Sequence, residues 1–453
     1  MSQQSRHPRP RTRSNATARR MRSDLRRTRS SSRTAGAHRH ARPRPHAATR
    51  PSIAVSRRQL IAGAAGIAGI ALASSGIAHL TSQKEEAAED SSALSVAPDS
   101  VFTLSDCTEA DASDCMRLVS EFKLPYHTLV WACNDSYASC LIPTSGSAPI
   151  TKAGILDLDS GNLATVLDGP ISSENGYDIY DVRCSSRGIV WTEANAFTGE
   201  WRVYHATHSG ESIGDPMLAD HGTTDYEIPT LAVSEARAFW QVLPSAGTKG
   251  AESLLKSSTY GTKGTDIAYR SNGRMATPPY SCDEGAVITP RTKGSAVAYQ
   301  ITLVDGTSMD QRDALVLPAS MSPLEAGYAN GRFAFSFDAI YNVKSGIANL
   351  GTYAPVKSGT PQPGDEWFRF SRNPSAPPAW AGQWLIVKST KSVSGVDPVN
   401  RLVFALDCPD RSDDFGDYLA STGTRGIVAT YAHVSRSDTD EYTLLRTWRP
   451  LQA

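Results

Sequence analysis

The chain has 453 residues, and its 46 Lys and Arg cancel its 46 Asp and Glu. The cancellation hides two opposite segments: residues 1–58 hold 17 Arg, no Lys and one acid, Asp24, a net of +16, while the rest holds 29 bases against 45 acids, a net of −16. Such a division excludes one uniform globule, and an acidic folded part excludes phosphate recognition, so no nucleic-acid partner is expected.

In residues 1–50, Leu25 is the single Leu, and Ile, Val and aromatic residues are absent. So little apolar surface cannot offset the entropy of ordering a chain, and residues 1–55 are expected to form a disordered Arg-rich segment. The apolar run downstream argues against the rival expectation, a basic tail of a nucleic-acid-binding protein. Residues 56–61 read Ser-Arg-Arg-Gln-Leu-Ile, and residues 60–73 are an uncharged run of Leu, Ile, Ala and Gly ending in Ala71-Leu72-Ala73.

This arrangement resembles a twin-arginine (Tat) export signal. Arg57 and Arg58 form the pair, a weakly apolar stretch starts at Leu60 and is interrupted by Gly63, Gly66 and Gly69, and Ala71 and Ala73 mark the small-residue cleavage site. It departs from that pattern in its long basic lead and in Leu60, where Phe is commoner. The resemblance implies that the twin-arginine translocase is a partner during export and that the domain folds before crossing. A soluble core helix does not fit, because the run has no polar face. Residues 60–80 also match the ~20 residues of a membrane span, so an uncleaved anchor in the membrane is the alternative to a cleaved signal. Both place the basic end in the cytoplasm and the remainder outside, secreted or anchored. No Cys follows the apolar run, which removes a lipid anchor. Residues 56–80 are therefore signal or anchor, and residues 81–100, rich in Ser, Ala, Glu and Asp, form a flexible acidic linker.

From residue 101 to 453, short apolar runs alternate with Gly, Asp, Ser and Pro turns and no stretch sustains a period of 3.6, an all-β pattern. Residues 182–219 show one complete unit of four strands separated by turns at Ser185-Ser186-Arg187-Gly188, Thr198-Gly199 and Ser209-Gly210. Its second strand, Ile189-Val190-Trp191-Thr192-Glu193, recurs as Leu129-Val130-Trp131-Ala132, Ala238-Phe239-Trp240-Gln241, Ala296-Val297-Ala298-Tyr299, Arg332-Phe333-Ala334-Phe335, Gln383-Trp384-Leu385-Ile386 and Ile427-Val428-Ala429-Thr430. The mean spacing is about 50 residues, near the ~40–50 of four-stranded propeller blades. On these units the chain resembles secreted bacterial β-propellers with TolB-like or quinoprotein-like repeats. The implied fold is an all-β propeller of seven four-stranded blades, with six or eight as alternatives and a stack of β-sandwiches as the rival architecture. The last unit is one strand short, and residues 101–104 or 116–122 are expected to complete it and close the ring.

All seven cysteines lie beyond residue 100. Cys107 with Cys115, and Cys133 with Cys140, are spaced to close small loops, and buried thiols are the equal alternative. No C-x-x-C occurs and no structural zinc is expected. No G-x-S-x-G stands on a strand-to-helix turn, and a P-loop and a dinucleotide fingerprint are absent. Asp407, Asp410, Asp413, Asp414 and Asp417 crowd one stretch, and Asp106, Glu109, Asp111 and Asp114 another; oxygen ligands of that density suit Ca2+, against the plainer expectation of solvated acidic loops. No other cofactor is expected. His205 and His208 are expected at the surface. Trp131, Trp191, Trp240 and Trp384 are expected to pack between blades, whereas Trp201, Trp367, Trp380 and Trp448 fall outside the register and include candidates to stack on a sugar. No catalytic residue stands out. The functional expectation is a non-enzymatic propeller binding an extracellular protein or envelope glycan, and its alternative is an exported glycoside hydrolase or lyase with carboxylates in the central funnel.

Overall fold

The computed structural model describes residues 101–144, 150–172, 176–248, 252–292, 298–317, 322–337, 349–353, 367–369, 376–388, 390–437 and 439–451. The segments expected to be disordered, to form the export signal with Arg57, Arg58, Leu60, Ala71 and Ala73, and to form the linker lie outside the described residues. Among the described residues there is one short α-helix, Ala112–Cys115, and no helix long and apolar enough to cross a membrane.

The described strands gather into seven sheets. The first contains Leu129–Trp131, Tyr137–Pro143, Ile150–Asp157 and Leu163–Leu167; the second, Tyr177–Cys184, Gly188–Asn195, Trp201–Thr207 and Met217–Gly222. The third contains Thr230–Val233, Arg237–Val242, Glu252–Thr259 and Asp266–Asn272; the fourth, Tyr280–Cys282, Gly285–Ile288, Gln300–Asp305 and Gln311–Val316. The fifth is built from Pro323–Ala329, Arg332–Phe337, Asn349–Tyr353 and Trp367–Arg369, and the sixth from Ala379–Ala381, Trp384–Lys388, Val393–Asp397 and Leu402–Ala405. In each of these six the four strands pair in chain order as an antiparallel meander.

Alternation of side chains across each strand welds the sheets together. Leu129 and Trp131 turn toward the second sheet, beside Ile179, Val182 and Trp191, while Val130 and Ala132 turn toward the seventh, beside Ala429, Tyr431 and Leu445. Trp240 likewise meets Val190 and Trp201 of the second sheet, and its neighbour Phe239 meets Ala286 and Ile288 of the fourth. Tyr280 and Val287 pack on Phe333 and Phe335, Ala329 and Ala334 on Trp380 and Leu385, and Trp384 and Ile386 on Val428. Sheets packed on both faces bury their central strands; all eight residues of Gly188–Asn195 are buried, Thr192, Glu193 and Asn195 included. The ring of sheets makes a β-propeller.

Closure uses the chain ahead of the first sheet. In the seventh sheet, Tyr418–Leu419, Val428–Ser437 and Asp440–Pro450 take Met116–Leu124 as their fourth, outermost strand, with Met116 opposite Pro450 and Leu124 opposite Thr443. Of the two candidate segments, the second closes the ring. The first, Val101–Thr103, adds in parallel to Trp367–Arg369 of the fifth sheet, and Thr108–Glu109 adds in parallel to Leu402–Ala405 of the sixth. Three successive outer edges are thereby covered by one segment, which removes exposed strand edges.

Two of the seven expected second strands are placed differently. Leu129–Trp131 is the innermost strand of its sheet, and Tyr137–Pro143 is the second. In the fourth sheet Gly285–Ile288 is second, and Tyr299 only bridges Arg291 ahead of the third strand. A feature outside the repeated strands recurs at four hairpins. Asp157, Asn195, Asp305 and Asp397 each accept backbone N–H bonds from residues two and three further on, and the fourth residue on, Gly161, Gly199, Met309 and Arg401, has φ of 76°, 71°, 66° and 56°. An Asx turn that ends in a left-handed residue is thus the shared connector, and two of the four tolerate a side chain there.

Candidate binding face

The hairpins joining innermost to second strands open at one end of the ring, and the longer loops between sheets open at the other. At the hairpin end, residues 420–425 leave Tyr418–Leu419 and cross the opening. Ala132 of the first sheet exchanges backbone bonds with this segment, its N–H donating to Ala420 O and its carbonyl accepting from Thr422 N–H, and Gly423–Thr424 pairs in parallel with Ala379 and Trp380 of the sixth sheet. Gly423 N–H donates to the Tyr280 hydroxyl at 2.5 Å, and Asn330 N–H to Thr424 Oγ1 at 2.6 Å, so the fourth and fifth sheets are tied in as well. The segment ends in Arg425, 5% exposed, whose guanidinium donates to Cys133 O (2.7 Å), Thr422 O and Asp283 Oδ1 (2.9 Å). Burial pulls the Arg425 pKa down, and the Asp283 and Asp135 carboxylates more than offset it. Asp135 in turn accepts from Gly426 N–H at 3.0 Å. This strap, with a buried arginine at its end, ties the first, fourth, fifth and sixth sheets together at the hairpin end of the ring.

Farther along the channel wall, Asp181 is bonded to Arg183, whose guanidinium lies 4.0 Å over the Trp131 ring. Burial raises the Asp181 pKa against the lowering by Arg183. Asp181, Asp283 and Asp135 are therefore each committed to an arginine or to backbone N–H groups.

The loop end is different. Between the second and third sheets, Tyr180, Tyr226, Glu227, Ile228 and Thr230 line an open concavity of about 500 Å³. Tyr180 is 57% exposed and Tyr226 39%, and Phe197, set out by the Asn195 turn one hairpin away, is 87% exposed. Glu227 is held by Arg274 through two N–O contacts of 2.8 and 2.9 Å, and Arg274 also donates to Pro244 O. Flat rings beside a fixed acid–base pair are suited to stacking on a ligand and hydrogen-bonding its edge.

A second aromatic group lies where the seventh sheet meets the first. His127, with φ of 64°, sits with its ring 4.0 Å from Tyr126 and 5.2 Å from His433; Tyr418 lies 5.5 Å from His433 and stacks on Tyr431 at 5.0 Å. Phe415, 66% exposed, adjoins Tyr418. Asp413 accepts from Phe415 N–H (2.9 Å) and Gly416 N–H (3.1 Å) and from the Tyr418 hydroxyl. Burial and the Asp413 carboxylate push the Tyr418 phenol up to about 12. Beneath the rings, Lys388 Nζ donates to Lys391 O and Phe415 O, and Asp417 pairs with Arg446, both buried.

Several expected site residues are placed elsewhere. Among the described residues, no three His, Cys, Asp or Glu side chains converge in a way that could hold a metal ion. Of the Ca2+ candidates, Asp413 turns to backbone N–H groups, Asp407 uses its backbone carbonyl to accept from Arg446, and Asp410 and Asp414 are not brought into a shared site with them. No cysteine is disulfide-bonded. Cys133 packs between the second and third sheets while Cys140 faces the opposite core with Leu124 and Val130, and Cys107 and Cys115 likewise enter different clusters. His205 is buried and His208 half-buried, with Nε2 2.8 Å from Ser185 O, because their strand is covered on both faces. Trp191, Trp240 and Trp384 pack between sheets as expected, but Trp201 and Trp380 are core residues too and Trp448 is half-buried, while the Trp367 side chain lies outside what is described; the exposed tyrosine and phenylalanine rings among the described side chains are Tyr180, Phe197, Tyr226 and Phe415.

No family model and no curated protein matches the chain. Solved structures are similar in fold. An oligogalacturonate lyase in complex with manganese is 6% identical, with a TM-score of 0.40, and the match covers 72% of this chain and 97% of that one. The WD40 domain of SCAP from fission yeast is 11% identical, at 0.41, over 74% and 98%. A puromycin-hydrolyzing peptidase of Mycobacterium tuberculosis is 12% identical, at 0.39, over 68% of this chain and 52% of the other. Enzymes and a non-enzymatic domain stand side by side among these neighbours.

Proposed function

We propose that the chain is an exported propeller that binds an envelope glycan outside the cytoplasmic membrane and performs no chemistry on it. The observation that carries this reading is the exposure of Tyr180 and Tyr226 on one concavity beside the Glu227–Arg274 pair at the loop end. Exposed rings of that size cost free energy in water unless a ligand covers them, and sugar rings offer a matching apolar face. The net charge of −16 beyond residue 58 favours a neutral glycan over an acidic one. The hydrolase or lyase alternative is weakened by the engagement of Asp181, Asp283 and Asp135, since glycoside cleavage needs two carboxylates about 5–10 Å apart and able to exchange protons.

Tyr226→Ala is expected to lower the affinity for neutral envelope oligosaccharides roughly tenfold, as loss of one stacked ring does, with the melting temperature unchanged. Titration calorimetry checks this, and full affinity in the variant would remove the concavity from the account. Export is tested separately. Arg57→Lys with Arg58→Lys is expected to hold the folded chain in the cytoplasm, read by fractionation; undiminished export of that variant contradicts the twin-arginine route.

A further inference from the structure

Phe197 is 87% exposed and yet fixed in place. It sits on the hairpin between Gly188–Asn195 and Trp201–Thr207, where Asn195 Oδ1 accepts from the N–H groups of Phe197 (2.9 Å) and Thr198 (3.2 Å). Gly199 N–H donates to Asn195 O at 2.9 Å, and Ala196 N–H donates to Gly176 O at 3.1 Å, which ties the hairpin to the start of the innermost strand. The ring leans on Gly176, whose φ is 98°: a Cβ there would stand 2.6 Å from Phe197 Cδ2, so a larger residue would displace the ring. A ring already held in one position loses little freedom when a ligand covers it. The same hairpin walls the concavity, because Gly199 lines it together with Tyr180 and Tyr226. Phe197 is two residues from Gly199, and two residues of chain span at most about 7 Å. Tyr180 is itself placed by an irregularity: Ile179 lies opposite Glu193 and Asp181 opposite Thr192, so Tyr180 is the extra residue of a β-bulge, a device that re-aims a side chain.

We propose that Phe197 is a further stacking platform continuous with the concavity, and that the ligand is a stretch of a linear neutral glycan several sugars long. This rests on the glycan reading above and names the length and form of what that site takes. The concavity is open, so a chain seated in it is free to continue over the hairpin that walls it. One sugar on each tyrosine leaves Phe197 for the units that follow. A single sugar would cover the tyrosines and leave the phenylalanine ring in water, forgoing the free energy of burying it. The net charge of −16 beyond residue 58 disfavours an acidic polymer along the same path.

Calorimetric titration of the full chain with the di- and hexasaccharides of N-acetylglucosamine, of mannose and of glucose tests the assignment. In at least one series the hexasaccharide is expected to bind the parent protein roughly tenfold more tightly than the disaccharide, the contribution of one further stacked ring. Phe197→Ala is expected to bring that ratio to about one at unchanged melting temperature, since so exposed a ring adds little to folding. Phe197→Tyr keeps a flat ring and is expected to keep the preference. Equal affinity of the parent for both lengths, or a Phe197→Ala chain that retains the parent's preference, overturns the inference and leaves the glycan reading standing. Binding of neither length in any series overturns both. A parent protein that sediments as a dimer, with Phe197→Ala a monomer, assigns the ring to a second copy and also overturns the inference.

Discussion

Arg425→Met is expected to destabilise the propeller by about 3–5 kcal/mol, chiefly because carbonyls inside the ring are left without their donor. The figure has two sources in the structure. Cys133 O and Thr422 O lose their donor inside the ring, and each unsatisfied carbonyl costs about 1–3 kcal/mol. Asp283, half-exposed, regains water and contributes less. Since the strap is bonded to the first, fourth, fifth and sixth sheets, the loss is felt by the whole ring instead of one unit. Thermal unfolding should shift downward by roughly 5–10 °C in a single transition. Arg425→Lys keeps the charge but not the planar fork that reaches three acceptors at once, so it should fall between the two. A Met variant that melts with the parent would mean that the strap only decorates the hairpin end of the ring.

Removing residues 101–124 is expected to have a larger effect still. The truncated seventh sheet would present Asp440–Pro450 as a bare edge and expose the partners of Met116 and Leu124, both buried. Burying side chains of that size contributes about 1.5–3 kcal/mol each, and the lost ladder leaves a long strand open to pairing with other copies. The shortened chain should sediment as oligomers or aggregate. A peptide spanning residues 114–126, supplied in excess, should restore a monomer by occupying the same register. A truncated chain that remains monomeric and melts as the parent does would contradict closure through Met116–Leu124.

Much of this architecture is legible in the sequence because propeller strands are buried on both faces and separated by turn residues. Five of the seven recurring strands, and the need for a strand from the N-terminal side, follow from spacing and from the shortness of the last unit. Leu129–Trp131 misleads because an innermost strand packed on two neighbours has the same apolar composition as a second strand. The Asx hairpins were readable from Asp157, Asn195, Asp305 and Asp397, each four residues ahead of a left-handed position, but Met309 and Arg401 replace the glycine that would announce it. The binding face was not legible. Tyr180 lies in the same strand as the buried Tyr177 and Tyr226 in the linker to the next sheet, and only the packing of adjacent sheets decides which rings stay outside. Arg425 was hidden for a related reason: its acceptors, Cys133 O and Asp283, are remote in sequence and meet it only when the ring closes.

The most direct measurement of the functional account follows one sample for two outcomes. The protein is incubated with insoluble neutral envelope glycan, and both retained protein and newly released reducing sugar are measured over time, with Tyr180→Ala/Tyr226→Ala in parallel. A binding propeller predicts saturable retention that the double variant loses, with no release of sugar. Steady release of sugar by the parent protein, or retention that the double variant keeps, would contradict it.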